Sequence, residues 1–237
     1  MIPVAEIFGP TIQGEGPNTG LKCIFVRVMG CDFKCEWCDS KFAWEKDENT
    51  KYYTDIDLAS ELINKCIATN TRHIVLTGGN PCLYDFKKVI DILHYQDITV
   101  DIETQGSILP EWLNKLDLVV ISPKAPSSKM PSVFQNIIQW LEENRNVNVA
   151  IKIPVFNKED FEFAEEYYKL IAYPDKFENL KLYINVGNSD TKEEGDISKR
   201  ILQDYEKLIN KVCDSSMKKV YIMPQVHTLV WGNKQGV

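Results

Sequence analysis

Three cysteines stand close together, Cys31, Cys35 and Cys38, spaced C-x3-C-x2-C. Thiolates are soft donors that select iron–sulfur clusters, zinc or copper(I). Structural zinc and ordinary iron–sulfur clusters take four protein ligands, and this group supplies three. The other cysteines, Cys23, Cys66, Cys82 and Cys213, are scattered singly and form no second C-x-x-C pair. A cubane cluster held by three cysteines leaves one iron open, and an open metal position marks chemistry instead of scaffolding. The plainer reading is a zinc knot or an apolar cysteine group, and the missing fourth ligand counts against it.

Other residues of chemical interest flank the triplet. Ile12-Gln13-Gly14-Glu15-Gly16-Pro17 belongs to a glycine- and proline-rich stretch starting at Ile7, which reads as a loop able to bring backbone close to a ligand. Arg27 is a lone charge in an apolar, β-branched run and needs a partner, either a protein carboxylate or a carboxylate on a substrate. Ser40 can cap a helix or offer a hard oxygen to a cation such as Mg²⁺. Thr77-Gly78-Gly79 ends a short apolar run, where glycines again permit close backbone approach. Cys82 reads as a buried apolar thiol. His227 carries no assigned role.

These residues need elements to hold them. Apolar periodicity predicts strands over 23–28, 73–76, 98–102, 118–121, 147–153, 180–186 and 219–222. It predicts helices over 57–69, 85–94, 110–116, 133–143, 158–170 and 197–212, with Thr54 or Asp55 capping the first. Such alternation implies a parallel sheet with right-handed crossovers. About six strand–helix units fall short of a closed eight-unit barrel, so the expected fold is α/β, a partial (open) β/α barrel. No long linker interrupts the chain, and a single domain over 1–237 is expected. Polar residues gather at the predicted strand ends, where α/β folds place their sites.

The composition is ordinary for a soluble protein, 44% hydrophobic and 26% charged. The net charge of −7 argues against a nucleic-acid or membrane surface. No apolar run approaches the ~20 residues of a membrane span. Seven cysteines without an even framework point to a reducing compartment, and the first residues lack the features of a signal peptide, so a cytoplasmic protein is expected.

The triplet, with Trp37 just before Cys38, resembles the signature of radical S-adenosylmethionine (SAM) enzymes. In that family the open iron chelates SAM, and an electron splits it to a 5′-deoxyadenosyl radical. The combination of Thr11-Ile12-Gln13-Gly14-Glu15-Gly16, Arg27, Cys38-Asp39-Ser40, Thr77-Gly78-Gly79, Glu103-Thr104-Gln105-Gly106 and Ser122-Pro123-Lys124 is narrower. It resembles the 7-carboxy-7-deazaguanine synthase family, which converts 6-carboxy-5,6,7,8-tetrahydropterin to 7-carboxy-7-deazaguanine with loss of ammonia, on the route to queuosine.

The resemblance implies a [4Fe-4S] cluster, SAM, Mg²⁺, a homodimer and an electron donor such as flavodoxin or ferredoxin. It implies that Cys31, Cys35 and Cys38 hold the cluster and that Ser40 is the Mg²⁺ ligand. Ile12, Gln13, Gly14, Arg27 and Thr77 would contact the pterin, with Arg27 on its carboxylate. Trp37, Cys38, Asp39, Gly79, Ser122, Pro123 and Lys124 would form the SAM pocket. The chain departs from the family at Asn80, where relatives commonly carry glutamate, and Glu103 is the candidate compensating carboxylate. Two other readings compete: a radical SAM activase acting on a partner protein, and a non-enzymatic metal or electron-carrying module.

Overall fold

In the computed structural model, residues 1–45, 49–172, 177 and 180–237 are described. The chain opens with β1 (Ile2–Ile12), which pairs antiparallel with β2 (Lys22–Val28) and, at its start, with the short β3 (Lys51–Tyr53). Helix α1 (Asp55–Thr69) leads to β4 (His73–Gly78), and α2 (Lys87–Tyr95) leads to β5 (Thr99–Thr104). A short 3-10 turn, Glu111–Lys115, connects to β6 (Leu118–Ile121). The pattern continues with α3 (Phe134–Glu143), β7 (Val149–Val155), α4 (Lys158–Ala172), β8 (Lys181–Val186), α5 (Ser198–Cys213), β9 (Val220–Met223) and α6 (Val226–Trp231). The sheet order is β3-β1-β2-β4-β5-β6-β7-β8-β9, and every pair from β2 to β9 is parallel. The parallel strands β2 and β4 to β9 run in sequential order, β1 and β3 add antiparallel at the β2 edge, and the sheet is left open at both ends, the partial barrel the alternation predicts.

Alternation along each strand decides what faces where. Ile24, Val26 and Val28 on β2, Ile74 and Leu76 on β4, Val100 and Ile102 on β5, and Ile151 and Ile153 on β7 all join one apolar core under the helices. The residues between them face inward. Toward the strand starts these are apolar or aromatic, including Cys23, Phe25, Val75, Leu118, Val120, Ala150 and Tyr183. Toward the strand ends they become polar: Arg27, Thr77, Glu103, Ser122, Lys152 and Asn185. A site therefore forms inside the barrel at the C-terminal rim of the parallel strands.

Local signals set the helix ends. The Thr54 hydroxyl accepts from the Asp57 backbone N–H at 3.2 Å, and Asp55 and Asp57 lie in the first turn of α1, where carboxylates meet its positive end. Asn70 ends α1 in the left-handed region at φ 50°.

The structure adds the short edge strand β3, has a 3-10 turn, Glu111–Lys115, where a helix was expected over 110–116, and departs from the sequence expectation in two segments near the site. Residues 7–12, read as loop, complete β1, and a register shift between Phe8 and Thr11 lets the strand absorb Gly9 and Pro10. Pro10 is tolerated because this half of β1 pairs on one side only. The second is α6, six residues too short to show a convincing period.

Leu76 is fully buried at the centre of the sheet. Leu76→Ala is expected to lower unfolding stability by about 2–5 kcal/mol, measured as a shift in the urea midpoint with an unchanged slope.

Candidate active site

The strand ends surround a cavity of about 300 Å³. Cys31, Cys35, Trp37, Cys38, Asp39 and Ser40 form its roof. Ile12 enters from the end of β1 and Gln13, Gly14 and Glu15 from the loop after it, and Arg27, Thr77, Gly79, Ser122 and Lys124 come from strand ends. The residues expected to hold the cluster, Mg²⁺, SAM or substrate thus meet in one place, except Pro123. Pro123 follows Ser122, and the strand alternation turns it away from the cavity that Ser122 and Lys124 line.

The cysteine loop is docked by backbone. Gly79 N–H donates to Val28 O at 3.2 Å and Asn80 N–H to Gly30 O at 2.8 Å. A Cβ on Gly79 would run into the carbonyl oxygen of Gly30, which is why glycine stands there. Asn80 is fully buried and finds partners on both sides. Its Nδ2 donates to Asp32 Oδ1 at 2.9 Å and to Ser107 Oγ at 3.2 Å, and its Oδ1 accepts from Thr104 Oγ1 at 3.0 Å. Gln105 Nε2 also donates to Asp32, at 2.7 Å. Asn80 is a tie between the cysteine loop and the end of β5, outside the cavity lining.

Two of the three sulfurs accept hydrogen bonds: Cys31 Sγ from Phe33 N–H at 3.4 Å and Gln105 Nε2 at 3.7 Å, and Cys38 Sγ from Trp44 Nε1 at 3.5 Å. Burial pushes the Cys35 thiol up to about 11 and raises Cys31, so ligation must displace protons. Among the described residues no three His, Cys, Asp or Glu side chains converge as a single ion requires. A zinc knot needs that convergence, whereas in a cuboidal cluster each cysteine takes a different iron. Three free thiols on one cavity, with N–H groups aimed at two of the sulfurs, fit such a cluster.

Arg27 finds the protein carboxylate that one of its two readings called for. Its Nε donates to Glu6 Oε1 at 2.7 Å, and its Nη1 donates to Ser40 Oγ at 2.8 Å. The guanidinium lies between the Phe8 and Phe42 rings, 5.4 and 5.6 Å from their centroids, with its remaining edge on the cavity. Ser40 makes no helix cap; its hydroxyl accepts from Arg27 and donates to Asp39 Oδ1 at 2.8 Å.

Deeper in the cavity lies a charge system that the sequence reading missed. Lys152 Nζ donates to Glu15 and, at 3.0 Å, to Glu103 Oε1. Glu103 also accepts from Gln13 Nε2 and Thr77 Oγ1, each at 3.3 Å. Gln225 donates to the other Glu15 oxygen. Burial alone would raise the Glu15 carboxyl, but the Lys152 ammonium, His227 and the two donors outweigh it and hold it at about 2. Burial would lower Lys152; the two carboxylates outweigh that and raise it, so it stays charged at any physiological pH. His227 packs where a Cβ on Gly14 would sit. Lys152 could have been found by the signal that marked Arg27, a lone charge in a β-branched strand. His227 and residues 232–237, which also line the cavity, carry no comparable signal.

Residues 26–171 match the radical SAM superfamily. The chain is 41% identical to the 7-carboxy-7-deazaguanine synthase of Bacillus subtilis, over all of this chain and 98% of that enzyme. It is 33% identical to the enzyme of that name from Escherichia coli, over 69% of this chain and 76% of that one. The fold resembles the crystal structure of QueE from Escherichia coli with a TM-score of 0.68 at 25% identity, covering 95% and 94% of the two chains. It also resembles Streptococcus suis SuiB bound to S-adenosylmethionine, with a TM-score of 0.56 at 14% identity over 85% of this chain and 47% of that one, a likeness of fold.

Two outcomes follow from the geometry. The folded Glu15 carboxyl titrates at about 2 against an ordinary 4.5, so its stabilisation is complete above pH 4.5 and is lost as the pH falls towards 2. The unfolding free energy from urea titrations should fall by roughly a few kcal/mol across that window, and Glu15→Gln should remove this component. Asn80→Glu puts a second carboxylate against Asp32 and removes two donors; it should cost about 1–3 kcal/mol and lower the iron retained per chain after anaerobic reconstitution.

Proposed function

The chain belongs to the radical SAM superfamily and, within it, to the 7-carboxy-7-deazaguanine synthase family; we propose that it converts 6-carboxy-5,6,7,8-tetrahydropterin to 7-carboxy-7-deazaguanine with loss of ammonia, a step toward queuosine and related 7-deazapurines. As a radical SAM enzyme it uses SAM and a [4Fe-4S] cluster. The observation that carries the substrate assignment is the meeting of the cysteine loop with Arg27, Gln13 and the Glu15–Lys152–Glu103 system in one enclosed cavity.

Cys31, Cys35 and Cys38 would hold the cluster. Bound there, the cluster and SAM would supply the radical chemistry that removes hydrogen from substrate. Gly79, Ser122, Lys124, Trp37 and Asp39 shape the SAM pocket, with Pro123 contributing through backbone alone. Trp37 is braced for this by Ser127 Oγ at 2.8 Å from its Nε1 and by the Phe156 ring, 4.6 Å between centroids. Ser40 and Asp39 offer a hydroxyl and a carboxylate side by side, hard oxygens suited to Mg²⁺ that keeps waters and takes a substrate carboxylate.

The remaining side chains orient the substrate. Arg27, already fixed by Glu6 and by two rings, presents its free edge to the pterin carboxylate. Ile12, Gln13 and Gly14 line the ring, and Gln13 is oriented by its bond to Glu103. Thr77 is held toward the substrate by the same carboxylate. Lys152 stays charged and balances two carboxylates, a structural duty that leaves no proton to shuttle. Residues 232–237 close the cavity from the side of α6, limiting access by water and favouring a small substrate over the backbone of a partner protein.

Family membership supports a cytoplasmic homodimer served by a flavodoxin or ferredoxin. Among the described residues no helix is long and apolar enough to cross a membrane.

Reconstituted protein incubated anaerobically with reductant, SAM, Mg²⁺ and 6-carboxytetrahydropterin should yield 7-carboxy-7-deazaguanine by mass spectrometry, without stoichiometric loss of SAM. SAM cleavage with no such product would refute the substrate assignment. Arg27→Gln should raise KM for the pterin roughly a hundredfold, the loss of a charge-assisted pair in a closed site.

A further inference from the structure

One buried amide in the cavity wall has no hydrogen-bond partner among the described residues. Asn185, on the inward face of β8, is 1% exposed, and neither its Nδ2 nor its Oδ1 has a hydrogen-bond partner among the described residues. Its place in the sheet explains this. Its lateral neighbours are Pro154 on β7 and Met223 on β9. Proline offers the amide no N–H. The Met223 sulfur is engaged by Gly16 N–H at 3.0 Å. Along β8 the inward neighbours are Tyr183, stacked on Tyr221 with centroids 4.8 Å apart, and Gly187, which has no side chain.

Other buried amides in the barrel are satisfied. Asn80 has donors and acceptors on three sides, and Asn188 donates to Asn233 and accepts from Arg200. A buried carboxamide with both ends idle is costly, and the exception calls for a reason. Asn185 is among the residues that border the cavity, so this unpaired amide stands next to the space a ligand occupies. The group that satisfies both is a planar edge with one acceptor beside one donor, as in a cyclic amide.

We propose that Asn185 is a specificity residue that pairs through its Nδ2 and Oδ1 with the lactam edge, C=O beside N–H, of the substrate's pyrimidinone ring. This rests on the pterin reading above. Two observations place it on the substrate side. Its neighbour Met223 is clasped by Gly16, so Asn185 stands on the wall that carries the Gln13–Glu15 loop. Arg27 lies on β2 and Asn185 on β8, five strands apart in the sheet order and on opposite walls of the open barrel. A molecule with a carboxylate at one end and a cyclic amide at the other is read from both ends. A site built to hydrogen-bond a polar edge also rejects analogues lacking it more strongly than an apolar wall can.

The test uses cluster-containing protein under anaerobic conditions and compares wild type, Asn185→Leu and Asn185→Ser. Leucine is close in volume and removes both unpaired groups. The leucine variant should unfold, without substrate, at the same temperature as wild type or higher. Its KM for the pterin should rise roughly ten- to hundredfold, while its SAM dissociation constant and reductive SAM cleavage stay unchanged. The serine variant should show the same rise in KM and serves if leucine does not assemble. A lower unfolding temperature with unchanged pterin KM would make Asn185 structural and overturn the proposal. Weakened SAM binding would assign the amide to the adenine edge and overturn it equally. Wild type that cleaves SAM but leaves the pterin untouched would instead remove the substrate reading itself, and this pairing with it.

Discussion

A lysine ammonium inside a barrel must be neutralised, and the way Lys152 is neutralised organises the interior. Lys152 rises from β7 and is held by Glu103 on β5 and by Glu15 from the loop after β1. The side chains of Lys152 and Glu15 are 8% and 13% exposed, so these charges interact with little screening from water. The consequence is topological as well as energetic. The open barrel leaves a gap between its first and last strands, and the ion pair pulls the loop of residues 13–20 across that gap. Gln225 reaches the same Glu15, and Gly16 reaches Met223, so the loop also secures the end of the chain. Gln13 and Thr77 take their orientation from Glu103. One buried cation thereby positions groups from five separate parts of the chain.

The roof of the site depends on a different constraint, the close approach of two backbones. The cysteine loop can lie on the end of β4 only because Gly78 and Gly79 have no side chains there; Gly78 sits at φ 116° and a Cβ on it would meet the backbone of Val28. Asn80 then spans the gap to β5 and ties down Asp32 in the cysteine loop. The neutral amide at this position suits its partners. It gives two hydrogens to Asp32 and Ser107 and takes one from Thr104, which a carboxylate facing Asp32 cannot do. The side chain at 80 is committed to the loop and does not border the cavity. Cys82, two residues on, is buried in the core with its thiol pushed up to about 12, the inert apolar role read from the sequence.

Much of this was legible because it depended on local pattern. The seven parallel strands follow from β-branched runs at regular spacing, and the cysteine triplet from its own spacing. The glycine pair, Arg27 and Glu103 stood out as residues unlike their surroundings. Where the reading failed, the cause was pairing at a distance. Residues 7–12 looked like loop because glycine and proline dominate them, yet β2 supplies a partner that accepts a bulge. Lys152 and Asn185 were absorbed into apolar runs because a single polar residue in a strand does not announce which face it takes. His227 sits on a helix of six residues, too short to be predicted, and reaches the cavity only because the chain folds back beside Gly14.

By itself the sequence determined the ligand chemistry, the fold class and the family, because each is encoded in spacing along the chain: three thiols with one position open, and strands alternating with helices. Tertiary structure decided which charges became neighbours and which were left without one. Glu15, Glu103 and Lys152 are 88 and 49 residues apart in sequence and form one ionic unit only when β1, β5 and β7 share a barrel interior. Asn185 has no hydrogen-bond partner among the described residues, flanked in the sheet by Pro154 and Met223. Coulomb attraction and hydrogen bonding act over a few ångströms, and which residues come within that range is set by strand register and by the path of the chain.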